Sequence, residues 1–239
     1  VTGPFTGNLA PRAAGLHPPA LSPAYRSTRL RSPAQAPIGF PSTATEEAGP
    51  TFGHDLIGAL DADLTRNFGP GGAIGEQILV LGHLRDEECR PVPAALIEVW
   101  QANAGGRYRH KNDGYLAPLD PGFGGCGRCM TDAQGAFMFR TVRPGAYPWP
   151  NGGNDWRPAH IHFSVFGRAF GQRLITQMYF EGDPHIALCP IVQSIPDKSA
   201  IDRLTARLDM GATVPFDARA YRFDITLRGL NATPFEGPP

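Results

Sequence analysis

An all-β domain is the fold class that this sequence predicts, and three features predict it. Glycine (29) and proline (25) are both abundant in 239 residues. The apolar residues fall in many short runs, and several of those runs alternate apolar with polar at period 2, the mark of a half-buried strand. Charged residues make up only 18% of the chain against 41% hydrophobic, enough for a full core in one large domain or two small ones. The 22 basic and 22 acidic residues cancel, which argues against a nucleic-acid footprint or a membrane-surface patch.

The elements follow in chain order. Residues 1–50 read as an extended arm, because Pro18, Pro19, Pro23, Pro33, Pro37 and Pro41 hold their predecessors away from the α region. Leu21, Tyr25, Ile38 and Phe40 are spaced so that the arm docks on the domain or on a partner subunit. A short helix is expected near Asp55 to Leu64, and residues 51–239 form the main domain. Strands are expected at Gln77–Leu84, Val92–Gln101, Ala136–Val142, Ala159–Phe166, Leu174–Phe180 and Tyr221–Leu227. One helix is expected at about 197–209, with Asp197 as N-cap and Ile201, Leu204 and Leu208 on one face. The stretches Ala102–Met130 and Gly145–Pro158 are then large loops, where sites on a β scaffold tend to lie. The four cysteines (Cys89, Cys126, Cys129, Cys189) read as free thiols, with Cys126 and Cys129 in a turn between strands. No signal peptide and no apolar run of membrane-spanning length is present, so a cytoplasmic location is expected.

The chemistry concentrates in Arg157-Pro158-Ala159-His160-Ile161-His162-Phe163. On a strand, His160 and His162 point to the same face and make a bidentate metal grip. Tyr108 and Tyr147, in the two Gly/Pro-rich loops, are candidates to complete the site. Two phenolates with two imidazoles suit a ferric ion better than zinc or copper. Taken residue by residue, a structural histidine pair or a zinc or copper site stays open.

Longer segments resemble a known family, the intradiol ring-cleaving dioxygenases. They are Gly82 through Val92 to Ala102, Gly105-Gly106-Arg107-Tyr108, Thr131-Asp132 with Gly135, Val142 to Pro148, and Arg157 to His162. Tyr108 to Asp113, Leu116 to Pro121, Leu174 to Gln177 and Tyr179 to Pro184 are most similar to the β chains of the branch that cleaves protocatechuate. The resemblance implies a transthyretin-like β-sandwich with long active-site loops. It implies one non-haem Fe(III) per chain, held by Tyr108, Tyr147, His160 and His162. The implied reaction is intradiol cleavage of protocatechuate with O2 to 3-carboxy-cis,cis-muconate, with both oxygen atoms retained, in aromatic catabolism by the β-ketoadipate pathway. Tyr147 would leave the metal as the catechol binds and take one of its protons, Arg157 would stabilise developing negative charge on the ring, and Gln177 would support them. Tyr25 would bond the substrate carboxylate, with Trp149 and Ile191 as pocket walls and Trp100 in the core. A homologous α chain is the implied partner, in αβ units that assemble further. Pro150 stands where the resemblance leads one to expect a basic residue, and Gly152-Gly153 suggests a looser loop there.

Two rivals differ in readable ways. A metal-free transthyretin-like binding module shares the turn motifs but needs neither Tyr108 nor the histidine pair. Catechol and hydroxyquinol enzymes of the same family carry a helical N-terminal linker, whereas residues 1–50 are proline-rich.

Overall fold

The computed structural model describes residues 15–35, 57–166 and 173–236. Among them the chain is mostly β, with a few short helices. The strands are β1 (Gln77–Arg85), β2 (Leu96–Gln101), β3 (Cys126–Met130), β4 (Ala136–Val142), β5 (Tyr147–Trp149), β6 (Asp155–Arg157), β7 (His160–Phe166), β8 (Arg173–Phe180), β9 (Thr205–Leu208), β10 (Arg219–Arg222) and β11 (Ile225–Thr226). Single-turn helices are α1 (Thr28–Arg31), α2 (Pro190–Gln193) and α3 (Ser199–Asp202). No helix among the described residues is long and apolar enough to cross a membrane.

Strand β1 shows the period-2 rule directly, since its even-numbered residues Ile78 to Leu84 are buried and its odd-numbered ones are not. It pairs antiparallel with β4 and parallel with β10 and β11. The sheet runs β11-β1-β10-β9-β8-β7-β2-β3, with β4 on β1. Although β4 and β7 are not neighbours in that order, Phe163 of β7 meets Phe137 and Phe139 of β4 at ring-centroid distances of 6.0 and 6.3 Å. The sheet therefore folds over on itself, and these rings with Phe223 fill the space between its halves. Contact of β3 with β4 nearly closes it.

Several expected elements change. The strand expected from Val92 starts only at Leu96, because Ala94 has φ +53° and turns the chain. The strand expected at Tyr221–Leu227 breaks at Phe223–Asp224, where the Asp224 carboxylate accepts the His83 amide at 2.9 Å in place of a ladder carbonyl. The helix expected at 197–209 stops at Asp202, because β9 fills the gap between β8 and β10. Residues 57–64 form turns instead of the helix expected there, and residues 55 and 56 lie outside the described part. Cys126 and Cys129 lie on β3 and not in a turn. An i, i+3 pair on a strand faces opposite ways, and Cys126 is accordingly exposed while Cys129 is buried. Both are free thiols, as expected, and burial pushes Cys129 up to about 12. The arm contains the turn of helix α1, and Leu21 is exposed; Ile38 and Phe40 lie outside the described residues.

Candidate metal centre

Strand β7 carries the histidine pair, and its neighbours set what surrounds each ring. Across the ladders, His160 stands opposite Tyr179, and His162 stands opposite Gln177 on one side and Trp100 on the other. Residues directly opposite share a face, so Tyr179, Gln177 and Trp100 flank the pair. The alternate residues Ile161, Phe163 and Val165 enter the core. Trp100, expected in the core, is only partly buried and lies flat against His162, with centroids 4.7 Å apart and planes 4° off parallel.

The two tyrosines arrive on loops pressed together by glycine. Gly106 has φ +83°, and a Cβ there would stand 2.4 Å from the Ala146 carbonyl oxygen; at Gly145 it would stand 2.5 Å from the Ala104 carbonyl oxygen. Buried Asn103 holds the same junction. Its side-chain oxygen accepts the Gly105 and Arg107 amides at 2.9 and 3.0 Å, and its carbonyl accepts the Gly145 amide at 3.0 Å. The Tyr108 amide then donates to Asp113 at 2.7 Å. Tyr147 begins β5, opposite Arg157 of β6, so phenol and guanidinium share one face of the hairpin.

The four expected ligands converge. Tyr108 Oη is 3.3 Å from His160 Nε2 and 3.1 Å from His162 Nε2, while Tyr147 Oη is 3.4 Å from His160 Nε2. Donor atoms each about 2.1 Å from a common ion stand roughly 3 Å apart, so the cluster has the dimensions of a coordination shell. Each imidazole uses Nδ1 elsewhere. His160 Nδ1–H donates to the Pro158 carbonyl at 2.7 Å and His162 Nδ1–H to the Glu236 carboxylate at 2.7 Å. That fixes the tautomer and leaves both Nε2 lone pairs aimed at the tyrosines.

Electrostatics set the protonation of these groups. Burial, then the neighbouring Tyr147, lifts the Tyr108 phenol well above its ordinary range. Burial also raises Tyr147, against the pull of Arg157. Burial, then the charges of Arg157 and His162, pushes His160 well below the usual histidine range, so its ring is neutral at pH 7. A multivalent cation inverts this balance for the phenols, because it binds the phenolate form. Among the described residues no three His, Cys, Asp or Glu side chains are grouped to hold a metal.

Arg157 is 5% exposed and so lies inside the protein, not on its surface. Its Nη2 donates to Gln177 Oε1 and, at 3.4 Å, to Tyr179 Oη, and its Nε has no partner. Burial alone would favour the neutral form, but the Tyr179, Cys189, Tyr147 and Tyr108 side chains hold its pKa above the ordinary value. Gln177 Nε2 donates in turn to Glu236 at 3.2 Å. Hydrogen bonds from His162 and Gln177 outweigh burial and keep the Glu236 carboxyl below its usual range.

The residues expected on the substrate side also meet. Tyr25 and Trp149 stand edge to face at 5.3 Å, and both pack on a cluster that includes buried Ile191. The loop with Pro150 and Gly152-Gly153 is less loose than its glycines suggested. Buried Asn151 donates to the Ala24 carbonyl and to Asp155, and accepts the Arg26 amide, each at 2.8 Å. Pro150 itself is exposed. Tyr179, Asn103, Asn151 and Glu236 are thus the parts of the site that sequence reasoning missed. Tyr179 alone had a usable signal, being two residues beyond Gln177 on the same strand face. Asn151→Ala is expected to free the arm and raise KM for an aromatic acid several-fold with little change in kcat; steady-state kinetics checks this.

A family model described as "Dioxygenase" matches residues 47–229, and one described as "Protocatechuate 3,4-dioxygenase beta subunit N terminal" matches residues 10–43. The chain is 50% identical to a protocatechuate 3,4-dioxygenase β chain from Burkholderia cepacia, over 95% of this chain and 97% of that one. It is 32% identical to a protocatechuate 3,4-dioxygenase α chain from Pseudomonas putida, over 82% of this chain and 96% of that one. A crystal structure of 3-chlorocatechol 1,2-dioxygenase from Rhodococcus opacus is similar with a TM-score of 0.52 and 25% identity, over 72% of this chain and 67% of that one. The chain belongs to the intradiol dioxygenase family, with the β chains of protocatechuate 3,4-dioxygenase.

Proposed function

We propose that this chain is the iron-holding β subunit of an enzyme that cleaves protocatechuate (3,4-dihydroxybenzoate) with O2, between its two oxygenated carbons, to 3-carboxy-cis,cis-muconate. One observation carries the reading: two phenol oxygens and two imidazole nitrogens converge within 3.1–3.4 Å beside a buried, charged arginine. Tyr108, Tyr147, His160 and His162 would hold a non-haem ferric ion. When bound, that ion draws electron density from a catecholate and opens its ring to O2. Tyr147 Oη, held as a phenolate by that ion, would take a proton from a catechol hydroxyl, and the Arg157 charge across the hairpin opposes the burial that raises its pKa. Arg157 supplies fixed positive charge where negative charge develops on the ring, held in place by Gln177 and Tyr179. Trp149 and Ile191 exclude water from the ring's edge, and Tyr25 is the arm's hydrogen-bonding group toward the carboxylate.

A homologous α chain is the proposed partner, supported by the similarity to both chain types. The division into an arm (1–50) and a catalytic domain (51–239) is supported by two family matches that change over between residues 43 and 47. A transthyretin-type sandwich is supported by the phenylalanine contacts between the two halves of the sheet. Four free thiols fit a reducing, cytoplasmic setting. The test is the visible spectrum of the protein coexpressed with an α chain, before and after anaerobic protocatechuate. A broad phenolate-to-Fe(III) band that shifts on addition is expected. A colourless, iron-free protein that iron reconstitution leaves unchanged would defeat the reading in favour of a metal-free binding module.

A further inference from the structure

We infer that Glu236 is a positioning residue for the metal centre, joining a ligand histidine to the substrate-side arginine through one carboxylate oxygen. It stands outside the residues matched by the dioxygenase family model, in a Gly/Pro-rich tail without periodicity.

Geometry brings it there by an ordered strap. After β11, the Thr233 amide bonds the Thr226 carbonyl at 2.9 Å and Thr233 Oγ1 accepts the Thr226 amide at 3.0 Å. Arg203 Nε holds the Ala232 carbonyl at 3.0 Å. Buried Thr176 donates to the Pro234 carbonyl at 2.6 Å, and the Glu236 amide donates to the Ile175 carbonyl at 3.0 Å. The tail is thereby fixed along β8, and its carboxylate reaches across to β7. Glu236 Oε2 accepts two bonds, from His162 Nδ1 at 2.7 Å and from Gln177 Nε2 at 3.2 Å. Gln177 Oε1 accepts from both Arg157 and Tyr179.

The consequence is a single hydrogen-bonded path, His162–Glu236–Gln177–Arg157. With Nδ1–H committed to a carboxylate and its ring stacked on Trp100, His162 has one orientation and one tautomer. The charge-assisted bond also makes Nε2 a stronger donor than a bond to a neutral acceptor would. At the other end, the carboxylate holds the Gln177 amide in the flip that presents Oε1 to Arg157. A tail with no motif thus sets the angle of one ligand and of the guanidinium together.

The inference rests on the four-ligand reading, and the experiment separates the two. Wild type, Glu236→Gln and Glu236→Ala are coexpressed with an α chain and loaded with iron. Three quantities are read: the phenolate-to-Fe(III) band, the rate of iron loss to nitrilotriacetate, and the melting temperature of the iron-free protein. Wild type without iron or colour would sink the four-ligand reading itself. Given coloured wild type, Glu236→Ala is expected to lose iron roughly 10–100-fold faster, the range for a lost outer partner of a metal-bound histidine. Glu236→Gln keeps the acceptor but not the charge, and is expected to lose iron about 3–10-fold faster with a shifted band. If Glu236→Ala does not fold, the Gln variant decides alone. A Gln variant with wild-type band and iron loss would overturn the proposal. So would an Ala variant that melts lower but keeps both, since that reduces Glu236 to an anchor for the tail.

Discussion

His160→Ala is expected to give a protein that retains less than about one-tenth of the wild-type iron and has no measurable ring-cleaving activity. Removing an outer partner of a ligand histidine typically costs 10–100-fold in metal affinity or activity, and losing a ligand should cost more. His160 is the histidine whose Nε2 approaches both tyrosine oxygens, at 3.3 and 3.4 Å, so its loss opens the middle of the donor cluster. It is also 2% exposed, and truncation leaves the Pro158 carbonyl without its donor. Some stability is therefore lost as well, on the order of 1–3 kcal/mol for an unsatisfied buried acceptor. The two effects separate experimentally. Iron is counted by elemental analysis after reconstitution, and folding is followed by circular dichroism on the iron-free protein. A folded His160→Ala protein with full iron and an unchanged visible band would remove His160 from the ligand set.

How much of this was legible in the sequence depends on whether local pattern or long-range pairing decided the outcome. The histidine pair was legible because period-2 alternation is local, and β1, β4, β7 and β8 appear close to where alternation put them. The helix expected at 197–209 failed because Ile201, Leu204 and Leu208 also fit a turn of helix followed by a strand. The choice was made by β8 and β10, which offer backbone partners to residues 205–208 that no helix could satisfy. Trp100 looked like core because its β2 neighbours Ile97 and Val99 are core; its stack on His162 follows from register with β7, which a single sequence does not display. Glu236 was out of reach for the same reason, standing 74 residues beyond the ring it holds. Arg157 was legible as a motif residue, yet its burial without an anion could be seen only in three dimensions.

That burial gives Arg157→Ser a distinct expected signature: a large loss of kcat with iron content near wild type and only a modest loss of stability. Among the described residues no carboxylate forms an ion pair with this guanidinium, its Nε is unbonded, and its partners Gln177 and Tyr179 are neutral. Its surroundings nonetheless hold its pKa above the ordinary value, so the guanidinium stays charged in the resting protein despite its burial. A buried charge held in this way suits a site where it acts on something that arrives later, in the proposed reaction the negative charge building on a bound ring. Deleting a preorganised group of this kind typically slows the chemical step about 10²–10³-fold. The substitution leaves all four donors in place, so iron content and the resting visible band should stay near wild type. The iron-free variant should melt somewhat below the wild-type temperature, because truncation at this buried site leaves a cavity and takes a donor from Gln177 and Tyr179. Single-turnover kinetics on the preformed anaerobic substrate complex, mixed with O2, isolates the step. Unchanged decay of that complex would take Arg157 out of the reaction. A slowed decay with unchanged iron content would identify a residue that acts on the reaction and not on the metal.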